Sequence, residues 1–443
     1  MNIKIDSRKV KDGDIFVGIK TLNNDGNDYA FDAIKKGAAK IVIEGNKDIL
    51  IVPNTRVYLS KLLKNKYEKE MNKIKLIGVT GTNGKTTTCF LIYQALNMLG
   101  IKCAYIGTIG FYMDKFICNI SNTTPEILDL YEMILKCINN NYEYVVMEVS
   151  SHALSLGRVS GLLFDTAILT NITQDHLDYH KNMNEYAKCK SKLFDMCNNA
   201  IINLDSNYSC MFFKDKNNNY TYGEYDGKYR ISDIKTYSNY STFKLNDISY
   251  KTKLIGKYNI YNIVNVIILL DILGVCNKEK KNIIKNLNAP CGRMDTIKYK
   301  SNKIIIDYAH TPDAVLNIIN TSREITKGKL YVIVGCGGNR DKTKRSIMAN
   351  ICVDNTDFSI FTTDNPRYEN QDSIFSDMVS NITCDNYKII YDRESAIKYG
   401  ISLLNNNDTL LILGKGHEDY QIIGDKKIHF DDKEIVKKYI NML

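Results

Sequence analysis

The chain has 443 residues, 44% of them hydrophobic and 25% charged, with a formal net charge of +9. That apolar content is ample for two to three buried cores, which excludes a disordered chain and suggests a multidomain globular protein. Its 59 Lys and Arg are interleaved with 50 Asp and Glu instead of forming a basic run, so an anionic small substrate fits the charge as well as nucleic acid does, and no nucleic-acid partner is expected.

The opening stretch "MNIKIDSRKVKDG" contains no apolar signal segment. The most apolar run, "IVNVIILLDILGV" (Ile263 to Val275), is short and broken by Asn265 and Asp271. No membrane partner is expected, and a cytoplasmic location follows. Twelve cysteines are scattered from Cys89 to Cys384 with no C-x-x-C pair, which points to reduced, mostly buried thiols and away from disulfides or zinc. No internal repeat is visible.

In chain order, the first 72 residues read as a small α/β unit: strand "DIFVGI", helix "YAFDAIKKGA" ending at Gly37, then strand "KIVIE". "KYEKEMNKIK" (66–75) reads as a charged link. Residues 73–293 then alternate apolar strands with helices: "KLIGV", "KCAYIGT", "YEYVVMEVS", "FDTAILTNI" and "AIINL". Such continuous apolar runs suggest a buried, mainly parallel sheet covered by helices. From 294 to 443 the pattern restarts with "KIIIDYAH", "KLYVIVGCGG", "DFSIFTTDNP", "YKIIYD" and "DTLLILGKG", a Rossmann-like α/β domain with its own sheet. Each of these strands ends in a Gly or polar turn, where open parallel sheets place ligands.

"LIGVTGTNGKTTTC" (Leu76 to Cys89) has a strand running into Gly81, Gly84, Lys85 and Thr86 and then a helix. Glycines let backbone N–H groups approach phosphate oxygens, Lys85 adds a point charge, and Thr86 offers a hydroxyl to a magnesium ion. The spacing differs from the common phosphate loop, since five residues separate Gly78 from Gly84 and only two separate Gly81 from it. "YVVMEVSSH" supplies Glu148 near the end of a strand, where a carboxylate could hold that ion. The six histidines, His152, His176, His180, His310, His417 and His429, lie in polar segments next to turns. Singly each reads as structural; together they point to a site.

The segments "GVTGTNGKTTT", "SNTTPE", "MEVSSHAL", "LTNITQDHLDYH", "GKYNIYNIVN", "GRMD", "DYAHTPDA", "GCGGNRDKTKR", "DNPR" and "GKGHEDYQ", in this order, resemble the Mur ligases. The shortened Gly-Thr-x-Gly-Lys-Thr loop is that superfamily's form and is shared with folylpolyglutamate synthetases. "DNPR" and "GKGHE" separate the two. The resemblance implies three domains: an N-terminal UDP-binding unit, a central phosphate-loop ATPase domain and a C-terminal domain that carries the incoming amino acid. It implies an ADP-forming amide ligase that activates a carboxylate as an acyl phosphate, with ATP, UDP-N-acetylmuramoyl-L-Ala-D-Glu and a diamino acid as substrates and Mg²⁺ as cofactor. A monomer is expected.

Carried over, Thr80, Gly81, Thr82, Asn83, Gly84, Lys85 and Thr86 would bind ATP phosphates, while Asn259, Asn262, Arg293, Asp307 and His310 would serve the adenosine end. Thr86, Glu148 and His176 would hold magnesium, joined by a carbamylated Lys190 in "YAKCKSKLF"; Lys85, Glu148, His176 and Lys190 form the catalytic set. Carbamylation, from CO₂, turns a cation into a carboxylate and removes the clash between ammonium and metal. Ser7, Asn122, Thr123, Thr124, Ser150 and Arg158 match the contacts to the nucleotide-sugar peptide. Arg340, Asp364, Asn365, Pro366, Arg367, Gly414 and Glu418 would hold the amino acid. Its second zwitterionic head needs a guanidinium for the carboxylate and an acid for the ammonium, jobs suited to Arg367 and Glu418.

The chain also departs from the family pattern. The leader usual before "DSR" is expected to be missing, and "LNNDGNDY" replaces a His-containing segment, which weakens the transfer of uridine contacts. Leu156, Asn339 and Tyr368 stand where Gln, Asp and a small or acidic residue are common, and Tyr368 bears on which diamino acid fits: meso-diaminopimelate first, lanthionine or L-lysine otherwise. The rival readings are a folylpolyglutamate-synthetase-like ligase and a regulatory ATP-binding protein without turnover.

Overall fold

The computed structural model describes residues 2–21, 24–44, 50–52 and 54–442. A four-stranded parallel sheet, Ile3–Lys4, Ile15–Val17, Lys40–Ile43 and Leu50–Ile51, forms the N-terminal unit. The helix expected before Gly37 is there as Ala30–Lys35, and Gly37 at φ 82° ends it in a left-handed turn. Of "LNNDGNDY", the residues Leu22 and Asn23 lie outside the described residues.

Residues 66–75 are not a link. They form the last turns of helix Thr55–Met71, kinked at Tyr67, and the start of the strand Lys75–Thr80. The charges mislead because they lie on the solvent side: Glu68 and Lys69 are exposed, whereas Leu59 and Leu63 are fully buried at i, i+4 spacing. This helix packs against Ile127–Asn139, with Tyr67 against Tyr131 at 6.2 Å, so the N-terminal unit shares a hydrophobic core with the central one.

The central sheet has eleven strands. Its middle is parallel, with Cys197–Asn203, Phe164–Leu169, Lys75–Thr80, Tyr144–Glu148 and Cys103–Gly107 side by side in that order. Successive residues serve opposite faces: Leu76 joins the core on one side, Ile77 and Val79 that on the other. Strands Tyr229–Thr236, Ser241–Leu245 and Ile248–Thr252 extend one edge, pairing antiparallel with one another. The apolar run at 263–275 is mostly helix Lys257–Ile272, buried inside the domain; among the described residues no helix is long and apolar enough to cross a membrane.

The C-terminal sheet runs Asp295–Tyr299, Asn302–Asp307, Thr409–Leu413, Leu330–Val334, Phe358–Phe361 and Tyr387–Ile389; only its first pair is antiparallel. A fully buried ion pair, Arg393 Nε to Asp432 Oδ1 at 2.8 Å, ties the last helix, Asp432–Ile440, to this sheet. The same guanidinium donates to the Leu413 carbonyl at 3.0 Å and so anchors the strand just before Gly414. All twelve cysteines are free thiols, seven of them buried. The carboxyl ends of both parallel sheets open toward one cleft of about 770 Å³, where chemistry has to be sought.

Candidate active site

Strand Lys75–Thr80 turns through a glycine loop into helix Lys85–Met98. Gly81 and Gly84 sit at φ 146° and 85°. A Cβ on the first would overlap Thr170 Oγ1 and one on the second Asn262 Oδ1, so both conformation and space demand glycine. The strand end at Thr170 and Asn171 braces the loop: Asn83 N donates to Asn171 Oδ1 at 2.9 Å, and Thr170 Oγ1 donates to the Asn83 carbonyl at 2.6 Å. A helix N-terminus opened by such a loop is an anion site.

Two ammonium groups meet there. Lys85 Nζ donates to the carbonyls of Gly81 at 2.9 Å and Thr82 at 2.8 Å, and Lys190 Nζ donates to the same Gly81 carbonyl at 2.8 Å. Burial pushes Lys85 below the ordinary lysine range, and burial together with the Lys85 charge pushes Lys190 well below it. Lys190 is 1% exposed and lies over the Tyr186 ring at 4.6 Å.

Glu148, 1% exposed, emerges from the end of strand Tyr144–Glu148 into a ring of donors. Its carboxylate accepts from Tyr105 OH at 2.7 Å, Thr108 N at 2.8 Å, Thr108 Oγ1 at 3.1 Å and Thr86 Oγ1 at 3.0 Å. Arg293 donates to that same Thr86 hydroxyl at 3.3 Å and stacks on Tyr308 at 4.6 Å. Asp307 accepts from the Met294 and Ala309 amides at 2.8 Å each, and burial raises its carboxyl. His310 Nδ1 lies 2.8 Å from the Tyr308 carbonyl, its pKa brought down by burial to about 4. Asn262 accepts from Thr88 at 3.1 Å, behind the loop helix.

His176 is held at φ 56° with its Nε2 3.3 Å from Asp175 Oδ2. Burial keeps this imidazole below its ordinary range. Burial alone would raise the Asp175 carboxyl, but His176 and Lys344 hold it below the usual carboxylate range. Lys344 belongs to the C-terminal domain, and its Nζ lies 3.5 Å from Asp175 Oδ1. A second bridge joins the domains at the phosphate loop: Asn83 Nδ2 donates to Asp313 Oδ2 at 2.9 Å, and Thr311 Oγ1 donates to Asn83 Oδ1 at 3.2 Å.

At the other end of the cleft, Asp364, Asn365, Arg367, Gly414 and Glu418 converge, with Arg340 on the rim. Arg367 NH1 donates to the Gly338 carbonyl at 2.9 Å and the Asn365 carbonyl at 3.3 Å. Its backbone is left-handed at φ 52°, held there by bonds to Ile422 and Gly424 at 3.1 and 2.8 Å, the kind of strain that functional sites store. Burial and Arg340 lower its pKa; burial and Asp364 raise that of Glu418. Glu418 accepts from Asn365 Nδ2 at 3.0 Å and from the fully buried Lys415 at 3.3 Å. Tyr368, by contrast, is 71% exposed and bonds Asp425, away from the cleft lining. Leu156 caps a short helix, and Asn339 takes the left-handed turn that Asn tolerates.

Of the residues expected on the peptide substrate, Asn122, Thr123 and Ser150 line the cleft. Thr124 is buried beneath them, donating to the Glu148 carbonyl at 2.9 Å and accepting from Ser150 N at 3.0 Å. Arg158 donates to the Thr124 carbonyl at 3.2 Å. Ser7 is buried in the N-terminal unit, outside the cleft lining; Thr80, Gly81, Pro366 and Lys190 are also not part of that lining. The expected metal set divides: Thr86 and Glu148 touch, while His176 pairs with Asp175 and Lys190 with Gly81. Among the described residues no three His, Cys, Asp or Glu side chains form a metal cage. Two hard oxygens, a hydroxyl and a buried carboxylate 3.0 Å apart, do fit a magnesium ion that completes its shell with nucleotide phosphates and water.

Sequence reasoning missed Tyr105 and Thr108, which orient Glu148, and Asp175, Asp313, Lys344 and Lys415. Asp175, Asp313 and Lys344 were inside quoted motifs, next to the residues that were chosen. Tyr105 is a buried residue of a core strand and carries no local signal at all.

Three family models match the chain: "Mur ligase family, catalytic domain" over residues 1–83, "Mur ligase middle domain" over 79–270 and "Mur ligase, glutamate ligase domain" over 292–416. A Clostridium acetobutylicum protein named "UDP-N-acetylmuramoyl-L-alanyl-D-glutamate--2,6-diaminopimelate ligase 1" is 39% identical over 460 residues, covering 100% of this chain and 95% of its own. A Fusobacterium nucleatum protein of the same name, without the final numeral, is 40% identical over 461 residues, covering 99% and 93%. A solved structure of a ligase of that name superposes with a TM-score of 0.71 at 29% identity, covering 100% of this chain and 94% of that one.

Gly84→Ala tests the loop. The side chain would strain a left-handed position and strike Asn262, so affinity for ADP or a non-hydrolysable ATP analogue, read by titration calorimetry, should drop about tenfold or more with the fold intact. Unchanged nucleotide affinity would place the nucleotide elsewhere.

Proposed function

The chain belongs to the Mur ligase family, and from that premise we propose that it couples ATP cleavage to amide synthesis, adding a diamino acid to UDP-N-acetylmuramoyl-L-Ala-D-Glu. Meso-diaminopimelate is the diamino acid that the site suits best. The observation that carries the reading is a single cleft with the phosphate loop and Glu148 at one end and Arg367 and Glu418 at the other. Nucleotide and amino acid reach the same cavity from two different sheets. The intact "DNPR" and "GKGHE" segments weigh against a folylpolyglutamate-synthetase-like ligase, and the presence of Lys85, Glu148, His176 and Lys190 together weighs against a non-catalytic ATP-binding protein.

In the reaction, the D-Glu γ-carboxylate attacks the γ-phosphorus of ATP and ADP leaves. The amino group of the diamino acid then attacks the acyl carbon, and the tetrahedral intermediate expels phosphate. The protein supplies alignment and charge. Loop amides and Lys85 take the phosphates; Arg293, already on Thr86, adds charge where the leaving group develops it. Thr86 and Glu148 would hold magnesium, which neutralises phosphate charge and fixes its geometry. Glu418 and Asp364 receive an ammonium, and Arg367 with Arg340 a carboxylate. Asn259, Asn262, Asp307 and His310 serve the adenosine end.

Lys190 is proposed to be carbamylated. A desolvated lysine beside Lys85 favours the neutral amine, the form that adds CO₂, and the resulting carbamate is an anion in a site crowded with cations. His176 would join Thr86 and Glu148 at the magnesium. A working monomer and a cytoplasmic location complete the proposal.

Two experiments test this reading. Lys190→Ala should cost at least about 100-fold in product formation and recover with added acetate or formate, which restore the missing oxygen ligand, whereas Lys188→Ala should resemble the wild type. Reversed behaviour of the two variants would move the site. With ATP and the UDP-muramoyl dipeptide, equal amounts of meso-diaminopimelate, lanthionine and L-lysine should yield mainly the diaminopimelate product by mass. Pairing Arg367 with the second carboxylate is worth roughly 2 to 4 kcal/mol, or about thirtyfold to a thousandfold in kcat/KM. Arg367→Ala should erode the preference. A dominant L-lysine product would refute the assignment.

A further inference from the structure

Arg158, expected to contact the nucleotide-sugar peptide, lies just outside the cleft lining and does not stand alone. Its Nε lies 2.9 Å from Glu126 Oε1, and the other oxygen of the same carboxylate lies 3.5 Å from Arg56 NH2. Arg56 comes from the first turn of helix Thr55–Met71 in the N-terminal unit. Glu126 is the N-cap residue of helix Ile127–Asn139, against which that helix packs, yet its side chain caps nothing. The carboxylate is therefore free for the two guanidiniums. Side-chain exposure in the cluster is 11% for each arginine and 16% for Glu126, so the charges are held out of water, where their balance matters most.

Each arginine has a second anchor on backbone. Arg158 NH1 donates to the Thr124 carbonyl at 3.2 Å, and Arg56 NH1 donates to the Lys20 carbonyl at 2.5 Å. A continuous line of contacts thus runs from Lys20, through Arg56, Glu126 and Arg158, to Thr124, which itself bonds the Glu148 backbone. The ion pairs are off the hydrogen-bond axis: Arg56 Nε and NH2, Arg158 Nε and Glu126 Oε2 are all buried without a hydrogen-bond partner. One carboxylate against two guanidiniums leaves a net positive cluster with spare N–H capacity, which suits a further carboxylate or phosphate.

Resting on the function proposed above, we propose that Glu126 is a positioning residue for the UDP-muramoyl dipeptide: it is the shared counter-ion through which Arg56 of the N-terminal unit sets how much of Arg158's charge is left for the substrate. With Arg56 present, Glu126 is divided between two cations and Arg158 keeps charge for the peptide carboxylate. Without Arg56, Glu126 neutralises Arg158 outright. Without Glu126, Arg158 loses its aim.

The account predicts non-additivity. Titration calorimetry with the UDP-muramoyl dipeptide should show Arg56→Met and Glu126→Gln each weakening binding about tenfold, since each breaks a desolvated charge pair. The double variant should lie within about threefold of the weaker single one, because Arg56 acts through Glu126. Glu126→Asp should retain most of the affinity, and KM for ATP and for the diamino acid should stay within about twofold throughout. Losses that multiply in the double variant, an equal rise in KM for ATP, or unchanged dipeptide affinity in both single variants would each overturn the role of Glu126. A wild-type protein that neither binds nor turns over the dipeptide would instead overturn the function itself, and this role with it.

Discussion

Two desolvated ammonium groups, Lys85 and Lys190, donate to one carbonyl oxygen of Gly81. Like charges placed this close, away from bulk water, repel strongly and favour losing a proton or gaining an anion. The fold holds them together with two glycines whose conformation and surroundings disfavour any side chain and with the brace from Thr170 and Asn171. The arrangement makes sense only around anions. On the proposed reading polyphosphate would satisfy Lys85, and a carbamate would turn Lys190 from a competitor of the metal into its ligand. Glu148, with four donor contacts from three residues, is a fixed negative charge beside the loop, where the proposed magnesium would sit.

The second requirement is that an activated carboxylate meet an amine before water does. The geometry answers with two parallel sheets whose carboxyl ends face each other. The two domains touch beside the phosphate loop: Asn83 reaches Asp313 and Thr311, and Asp175 reaches Lys344. The loop proposed to grip the nucleotide is thereby in direct contact with the domain proposed to carry the amino acid. The strain at Arg367 and the buried Lys415 beneath Glu418 show the same priority at the far end, where a few charged groups are fixed before the ligand arrives.

Most of this was legible in the sequence where function is written in local patterns. The glycine loop, the strand-end Glu148 and the parallel strands could be read because continuous apolar runs and turn residues report short-range geometry. The reading failed where a signal was ambiguous or absent. The 66–75 segment looked like a linker because its charges hide a helix whose Leu59 and Leu63 are buried upstream. The antiparallel strands at 229–252 carry Lys235, Lys244 and Lys251 among their residues, which masks a sheet edge. Tyr105, Asp313 and Glu126 act through partners 43, 230 and about 30 positions away in sequence, so no window along the chain contains the contact. Tyr368 erred the other way: its place beside Arg367 in sequence suggested a role in selecting the amino acid, but the left-handed turn at Arg367 sends the tyrosine to the surface.

The claim on which the account stands is that the D-Glu carboxylate is phosphorylated in this cleft before the amide forms. Its most direct test is to follow oxygen. With UDP-muramoyl dipeptide carrying oxygen-18 in the γ-carboxylate, the released phosphate should contain one heavy atom per amide made, because the carboxylate oxygen that attacks phosphorus leaves with it. Amide formation accompanied by unlabelled phosphate would mean that the carboxylate never bonded to phosphorus, and the role given to the phosphate loop, Lys85 and Glu148 would be wrong.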